Sequence, residues 1–365
     1  MQISSMRFKG KKVKVLHIGE VAGLGGLQNW ICSIAEAQAR RRYEVELMQP
    51  PWVDPASRVY TALPVHGWNL ERVRNFDIIH SHGLAGYENR KIQKIAPKPI
   101  VHTYYGTILG IQIALRWFQN LVGWNGVTVP RNIVRDAMCG HAAHAVIAIS
   151  PKVRSEIRRF YGIRNKKVTV IPGGYSRDDD GASRESLRCE LGLREFGFLF
   201  LFVGRDDPVK NFPAAIKAFR RVRARFRDAY LVLAPKQDSD MGDGTMGVEL
   251  PPQRMNALYR CVDALVHPGF YDGYSLAVHE ALANGLPVIV SRNTGIADYC
   301  TQRTDALILP RKRGSGLVES LVEMMYSVIG SQDLRTTLGR EAARRFAAMD
   351  WDWVAAQTEK VYSSL

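Results

Sequence analysis

Short apolar runs alternate with helical patterns from one end of the chain to the other. Val13-Lys14-Val15-Leu16-His17-Ile18 predicts a first strand, residues 19–26 a glycine-rich turn and residues 27–41 a helix. Further strands are expected at 44–48, 76–80, 99–103 and 145–149. Strands that alternate with helices and read as nearly continuous apolar runs belong to a parallel sheet covered on both faces. The pattern then restarts. Residues 167–171 form a strand that ends in Pro172-Gly173-Gly174, and a linker is expected near 173–190. Phe198-Leu199-Phe200-Leu201-Phe202-Val203 is apolar throughout, and 229–234, 264–267 and 287–290 repeat the form. Residues 344–365 read as helix, rich in Trp and Ala. The fold class predicted is α/β, with two Rossmann-like domains.

Length agrees with two domains: 365 residues exceed the roughly 100–200 typical of one. The boundaries expected are 1–175, 176–345 and a final helix over 346–365 that packs back on the first domain. Hydrophobic residues at 46% and charged residues at 23% exclude a disordered or fibrous chain. Fifty Lys and Arg against 35 Asp and Glu leave a net charge of +15, which calls for an anionic partner or surface without choosing one. Five cysteines are scattered without a CxxC pair, as expected of a reducing compartment. The first residues are basic without a signal-like apolar stretch, and no run approaches the roughly 20 apolar residues of a membrane span. A soluble, cytoplasmic protein is expected.

Three stretches carry chemistry. The most specific runs from Phe270 to Val288 between two strands. Gly273 is expected to turn the chain sharply before a helix starting near Tyr274 and Ser275, whose free N–H groups suit a phosphate. Glu280, separated from Asp272 by seven residues, lies on the face that can return to that crevice and reach a ribose. In the second stretch, Gly204-Arg205 with Lys210 follows an apolar strand, at the sheet edge where open α/β folds bind ligands. Arg205 can grip phosphate oxygens with two parallel hydrogen bonds, and Lys210 adds a point charge. The third is Gly23-Leu24-Gly25-Gly26-Leu27, which permits close backbone approach but is not the full dinucleotide fingerprint.

Together these stretches resemble the retaining glycosyltransferases of family 4, with the GT-B fold: two facing Rossmann-like domains, parallel sheets and an inter-domain cleft. Gly25-Gly26 resembles that family's N-terminal glycine pair, and Phe76-Asp77-Ile78-Ile79-His80-Ser81-His82 its DVVHxH strand. Ala148-Ile149-Ser150 and the Ile171-Pro172-Gly173-Gly174 ending resemble its inter-domain landmarks. Gly204-Arg205 with Lys210 matches GRxxxxK, Asp272 to Glu280 its E-x7-E motif, and Asn293 to Asp298 its GGxPE loop. The resemblance implies that Arg205 and Lys210 hold the donor diphosphate and that Glu280 binds the nucleotide ribose. Asp272 would face the donor sugar, Gly273, Tyr274, Ser275 and Leu276 would touch sugar or phosphate, and Gly25 and Gly26 would allow close approach. Asp272, Arg205 and Lys210 would then be the catalytic residues. The reaction implied is transfer from a nucleotide-diphosphate sugar to an acceptor hydroxyl with retention and without metal or other cofactor. The acceptor implied is a glycan, a lipid-linked molecule or a small molecule.

The chain departs from the family at three places. Asp272 stands where Glu is usual, the 293–298 loop lacks the double glycine, and Tyr105 occupies the place of a His in Thr103-Tyr104-Tyr105-Gly106. His102 should point to the opposite face from Tyr105 by strand alternation. His82, Tyr104 and Tyr105 are the acceptor-side candidates. The apolar segment 107–124 suits either a buried helix or peripheral membrane contact. Cys139, His141 and His144 have metal-ligand types, but a structural helix is the expectation, and residues 238–249 are expected to form a mobile surface loop. The arginine-rich helix 220–227 lacks the interleaved aromatics of a nucleic-acid reader, so no nucleic acid partner is expected. A GT-B epimerase or phosphorylase is the nearer alternative, and a basic nucleic-acid-binding protein a remote one.

Overall fold

The computed structural model describes all residues except 1–11, 24, 55, 116–127, 177–180, 194–195, 205–206, 236–242 and 252–253. The chain divides into two compact units. One comprises residues 1–174 and 351–365, the other residues 175–350.

The first unit holds a seven-stranded sheet of β1 (Val13–Ile18), β2 (Tyr43–Met48), β3 (Val65–His66), β4 (Ile78–His82), β5 (Ile100–Tyr104), β6 (Ala145–Ala148) and β7 (Val168–Val170). Their spatial order is β3-β2-β1-β4-β5-β6-β7, and every pairing is parallel. The second unit holds β8 (Phe198–Val203), β9 (Ala229–Ala234), β10 (Thr245–Gly247), β11 (Ala264–His267), β12 (Val288–Ser291) and β13 (Leu307–Leu309), ordered β10-β9-β8-β11-β12-β13, again all parallel. Strand order reverses between β1 and β4 in one sheet and between β8 and β11 in the other. In open α/β sheets the crevice at such a reversal is where ligands bind.

Burial explains the apolar strands. Phe200, Phe202, Leu231, Leu233 and Val266 are all closed off from solvent, packed beneath Phe219 and Leu321 of the covering helices. In the first unit the helix Gly26–Arg40 covers β1 and β2 through Ile31, Ile34 and Ala35. The closing helix Trp351–Ser363 lies against it. Trp351 meets Trp30 edge to face at 5.4 Å, and Arg41 pairs with Glu359 at 2.5 Å.

Three expectations need correction. The C-terminal segment is not one helix: Gln332–Phe346 ends before Trp351–Ser363 begins, and the former packs in the second unit. The region expected as surface loop contains the edge strand Thr245–Gly247; residues 238–242 lie outside the described residues. The helix Arg184–Glu190 falls inside the expected linker, capped by the Ser183 hydroxyl on Ser186 N. Of the 107–124 segment, Ile108–Ala114 is helical and the residues from 116 lie outside the described residues. No helix among the described residues is long and apolar enough to cross a membrane. Cys139, His141 and His144 bond separately to Arg135 O, Tyr161 O and Ile100 N.

One contact in the second unit depends on a missing side chain. A Cβ on Gly339 would stand 2.3 Å from Gly285 O, inside the atoms themselves. The helix Gln332–Phe346 therefore touches the turn after Leu276–Ala283 backbone to backbone. Gly339→Ala should destabilise the second unit by about 1–3 kcal/mol, the usual cost of overpacking. A thermal unfolding scan should show the midpoint falling by several degrees; an unchanged midpoint would disprove the close approach.

Candidate functional site

The second unit's site is built from two loops at the carboxyl ends of β8 and β11. After β8 the chain makes a short 3-10 turn, Pro208–Lys210. Asp207 Oδ1 accepts from Val209 N at 3.0 Å, and Asp207 O accepts from Lys210 N at 2.9 Å. Asn211 ends the turn at φ +56°, a conformation Asn tolerates because its amide can bond locally. Here Asn211 Nδ2 donates to Pro268 O at 3.1 Å. Phe270 N donates to Val209 O at 2.7 Å. A Cβ on Gly269 would lie 3.1 Å from Val209 O, so glycine lets the two loops close on each other. These bonds fix where Lys210 starts.

Lys210 Nζ donates to Asp272 Oδ2 at 2.5 Å. The second oxygen, Oδ1, accepts from Tyr274 N at 3.1 Å. His267 Nε2, on the last residue of β11, lies 3.7 Å from Oδ2. Burial alone would raise the Asp272 carboxyl. The Lys210 ammonium, with His267 behind it, outweighs burial and holds that carboxyl well below the usual carboxylate range. Burial keeps His267 on the neutral side despite Asp272.

The chain then turns sharply, but at Ser275, not at Gly273. Ser275 adopts φ +84°, a backbone conformation L residues rarely take, and Gly273 is not among the positive-φ glycines. The helix Leu276–Ala283 follows with no side-chain cap, so its first N–H groups have no partner within the helix. The 293–298 loop braces the turn: Gly295 N donates to Asp272 O at 3.0 Å and Ile296 N to Tyr274 O at 3.1 Å. It reaches the turn backbone directly without the double glycine. Tyr274 is buried, its hydroxyl 3.3 Å from His279 Nδ1, so its side chain belongs to the core.

Glu280 sits on the second turn of that helix. It is partly buried, and Tyr259 O–H donates to its Oε2 at 2.9 Å. Burial pushes its carboxyl up to about 7, and the Tyr259 hydrogen bond offsets part of that rise. The structure thus joins Lys210 directly to Asp272, and carries Glu280 on the helix that leaves the same turn. Arg205 lies outside the described residues.

In the first unit Gly25 caps the helix Gly26–Arg40 in extended conformation, with open space where a Gly26 side chain would stand. Two acceptor-side candidates are buried. Tyr104 is fully buried; its hydroxyl donates to Asp136 O at 2.6 Å and accepts from Gly140 N at 2.9 Å, which leaves nothing to face a ligand. His82 is buried too, and the Tyr105 hydroxyl lies 2.7 Å from its Nδ1. His102 bonds Ser81 at 2.9 Å and packs on Tyr104, on the face away from Tyr105. Sequence reasoning missed Tyr259 and His267. His267 had a signal, as a polar residue ending an apolar strand beside the motif; Tyr259 had none, because it reaches Glu280 only through tertiary packing.

Comparison with known proteins gives one answer. The family Glycosyltransferase Family 4 matches residues 24–179, and Glycosyl transferases group 1 matches residues 197–327. A D-inositol 3-phosphate glycosyltransferase of Kribbella flavida is 24% identical over 79% of this chain and 71% of its own. The protein of the same name from Corynebacterium glutamicum is 24% identical over 79% and 72%. Among solved structures, a sucrose-phosphate synthase from Thermosynechococcus elongatus shares the fold at TM-score 0.74 with 18% identity, over 96% of this chain and 98% of that one. HepE of Anabaena, solved in complex with UDP, does so at TM-score 0.74 with 17% identity, over 97% and 100%.

The raised Glu280 carboxyl has a consequence for stability. A group whose folded pKa, about 7, exceeds its ordinary 4.5 keeps its proton in the folded state. Its contribution is complete below about pH 4.5 and is lost as pH rises through about 7. Relative to Glu280→Gln, the unaltered protein should lose stability over that window in denaturant titrations. Parallel curves at all pH values would refute the shift.

Proposed function

We propose, from the premise that this chain belongs to glycosyltransferase family 4 and is a glycosyltransferase of the GT-B fold, that it transfers a sugar from a nucleoside-diphosphate sugar to an acceptor hydroxyl, retaining anomeric configuration and using no metal. The observation that carries the reading is the Lys210–Asp272 contact at the foot of an uncapped helix start. An ammonium has three donors. One is held by Asp272, which leaves two for phosphate oxygens beside the first N–H groups of Leu276–Ala283. Charge that develops on a departing diphosphate would meet a cation already in place, needing no reorganisation in the reaction. Asp272 acts chiefly by placing Lys210 and the Tyr274 amide, a role closer to the phosphate than the sugar contact the resemblance implies. Glu280, once ionised, offers two oxygens to the ribose hydroxyls. Arg205 supplies the second cation.

The HepE structures were solved with UDP and with UDP-glucose, which makes a uridine donor the first to test. The curated relatives' name makes a phosphorylated polyol the first acceptor, an anion suited to a chain of net charge +15. Glycan and lipid-linked acceptors follow.

A thermal-shift screen with UDP, GDP, ADP, CDP and TDP tests the reading. One base should stabilise the protein, equally in magnesium and in EDTA. Lys210→Ala and Glu280→Ala should each weaken that binding about tenfold or more, worth about 1.4 kcal/mol. Product NMR with the matching sugar nucleotide should show the donor's anomeric configuration. No stabilisation by any nucleotide, stabilisation only with magnesium, or inverted product would each refute part of the assignment.

A further inference from the structure

The first unit contains a buried chain of hydrogen-bonded side chains outside the site described above. His17, His80 and His82 cluster at the β1/β4 strand reversal, their ligand-type nitrogens within 4.8 Å of one another. They are 0%, 2% and 1% exposed. Such a trio could hold a metal, yet all six ring nitrogens already have partners. His82 Nδ1 meets Tyr105 Oη at 2.7 Å, and His82 Nε2 meets His17 Nδ1 at 2.9 Å. His17 Nε2 meets Gln38 Oε1 at 2.8 Å, and Gln38 Nε2 donates to Tyr362 Oη at 3.2 Å. His80 Nδ1 meets the same Tyr362 hydroxyl at 2.6 Å, and His80 Nε2 meets Thr103 Oγ1 at 2.7 Å.

These contacts fix one another's direction. A neutral imidazole has one donor and one acceptor nitrogen. Burial, and for His80 and His82 the neighbouring imidazoles, keep all three rings neutral. Gln38 Oε1 only accepts, so His17 carries its proton on Nε2 and accepts at Nδ1. His82 must then donate from Nε2 and accept at Nδ1, so the Tyr105 hydroxyl donates inward. On the other side Gln38 donates to Tyr362, which donates to His80 Nδ1, leaving His80 Nε2 to donate to Thr103.

We propose that this histidine chain is a positioning device that turns the Tyr105 hydroxyl proton inward, so that the phenol oxygen faces the crevice as an acceptor for a sugar or polyol hydroxyl, and that docking of the C-terminal helix through Tyr362 holds it so. Tyr105 directly follows the last residue of β5, is partly exposed, and packs against Trp30 in a T-shaped contact at 5.3 Å, which fixes the ring while the hydroxyl is fixed by His82. The substrate part of this inference rests on the transferase reading above; the proton direction does not.

Nitrogen NMR on the full chain with labelled histidine reads the direction. His17, His80 and His82 should each show a neutral ring protonated on Nε2, unchanged from pH 8 to about pH 6. A proton on Nδ1 of His17 or His82 overturns the proposal, because Tyr105 would then present its proton outward. Stoichiometric zinc retained after desalting overturns it as well, since bound metal would break the chain. For function, Tyr105→Phe should lower kcat/KM for UDP-glucose and acceptor about tenfold, the size of one hydrogen bond. Tyr362→Phe should lower it too, and the double variant should be little worse than the worse single one. Full additivity, or a Tyr105→Phe enzyme equal to the unaltered one, overturns the coupling. If the unaltered protein transfers no sugar from any nucleotide sugar, the transferase reading fails, while the ring tautomers still report the proton direction.

Discussion

The second unit is organised around one charge pair. Lys210 and Asp272 are 62 positions apart in the chain, and their contact closes the loop after β8 onto the loop after β11. Lys210 is 25% exposed and Asp272 15%, so neither charge is well hydrated. A half-buried carboxylate survives only with a cation beside it and N–H groups around it. The Tyr274 amide and the nearby His267 complete that environment. An ammonium has three donors, and Asp272 is the one partner of the Lys210 side chain among the described residues. The pair's stability and the anion binding proposed for it would therefore have one origin.

The backbone supports this at some cost. Ser275 holds a left-handed conformation that a side chain normally avoids. The bonds from Gly295 and Ile296 to the 272–274 segment are what over-determine it. The turn delivers the start of Leu276–Ala283 with its amides uncommitted to a side-chain cap, and places Glu280 one turn further along, where Tyr259 meets it.

In the first unit the comparable feature is polar and buried. Parallel sheets are covered on both faces, so a polar side chain on a central strand must find protein partners. Alternation along β4 puts His80 and His82 on one face, and β1 and β5 bring His17, Thr103 and Tyr105 to the same side. The remaining bonds come from two helices, Gln38 on Gly26–Arg40 and Tyr362 on Trp351–Ser363. The C-terminal helix thus contributes a necessary hydroxyl as well as apolar cover.

The sequence by itself determined the two parallel sheets, because runs such as Phe198 to Val203 admit no other burial. It also indicated two local motifs, Gly204-Arg205 with Lys210 after one strand and Asp272 with Glu280 after another, because residue type and spacing along a single loop or helix are local properties. It indicated that His102 and Tyr105 point apart, since alternation is a property of one strand. Edge strands such as Val65–His66, Thr245–Gly247 and Leu307–Leu309 were illegible: two or three residues carry no periodicity, and pairing alone makes them strands. That Tyr104 is core while Tyr105 stays partly exposed was equally hidden until the helix Thr128–His141 supplied Asp136 and Gly140. Only the tertiary structure decided that the sharp turn falls at Ser275, that Asp272 is held by Lys210, and that three distant histidines share protons. Those facts depend on which groups from remote segments meet, and distance in space is not written in distance along the chain.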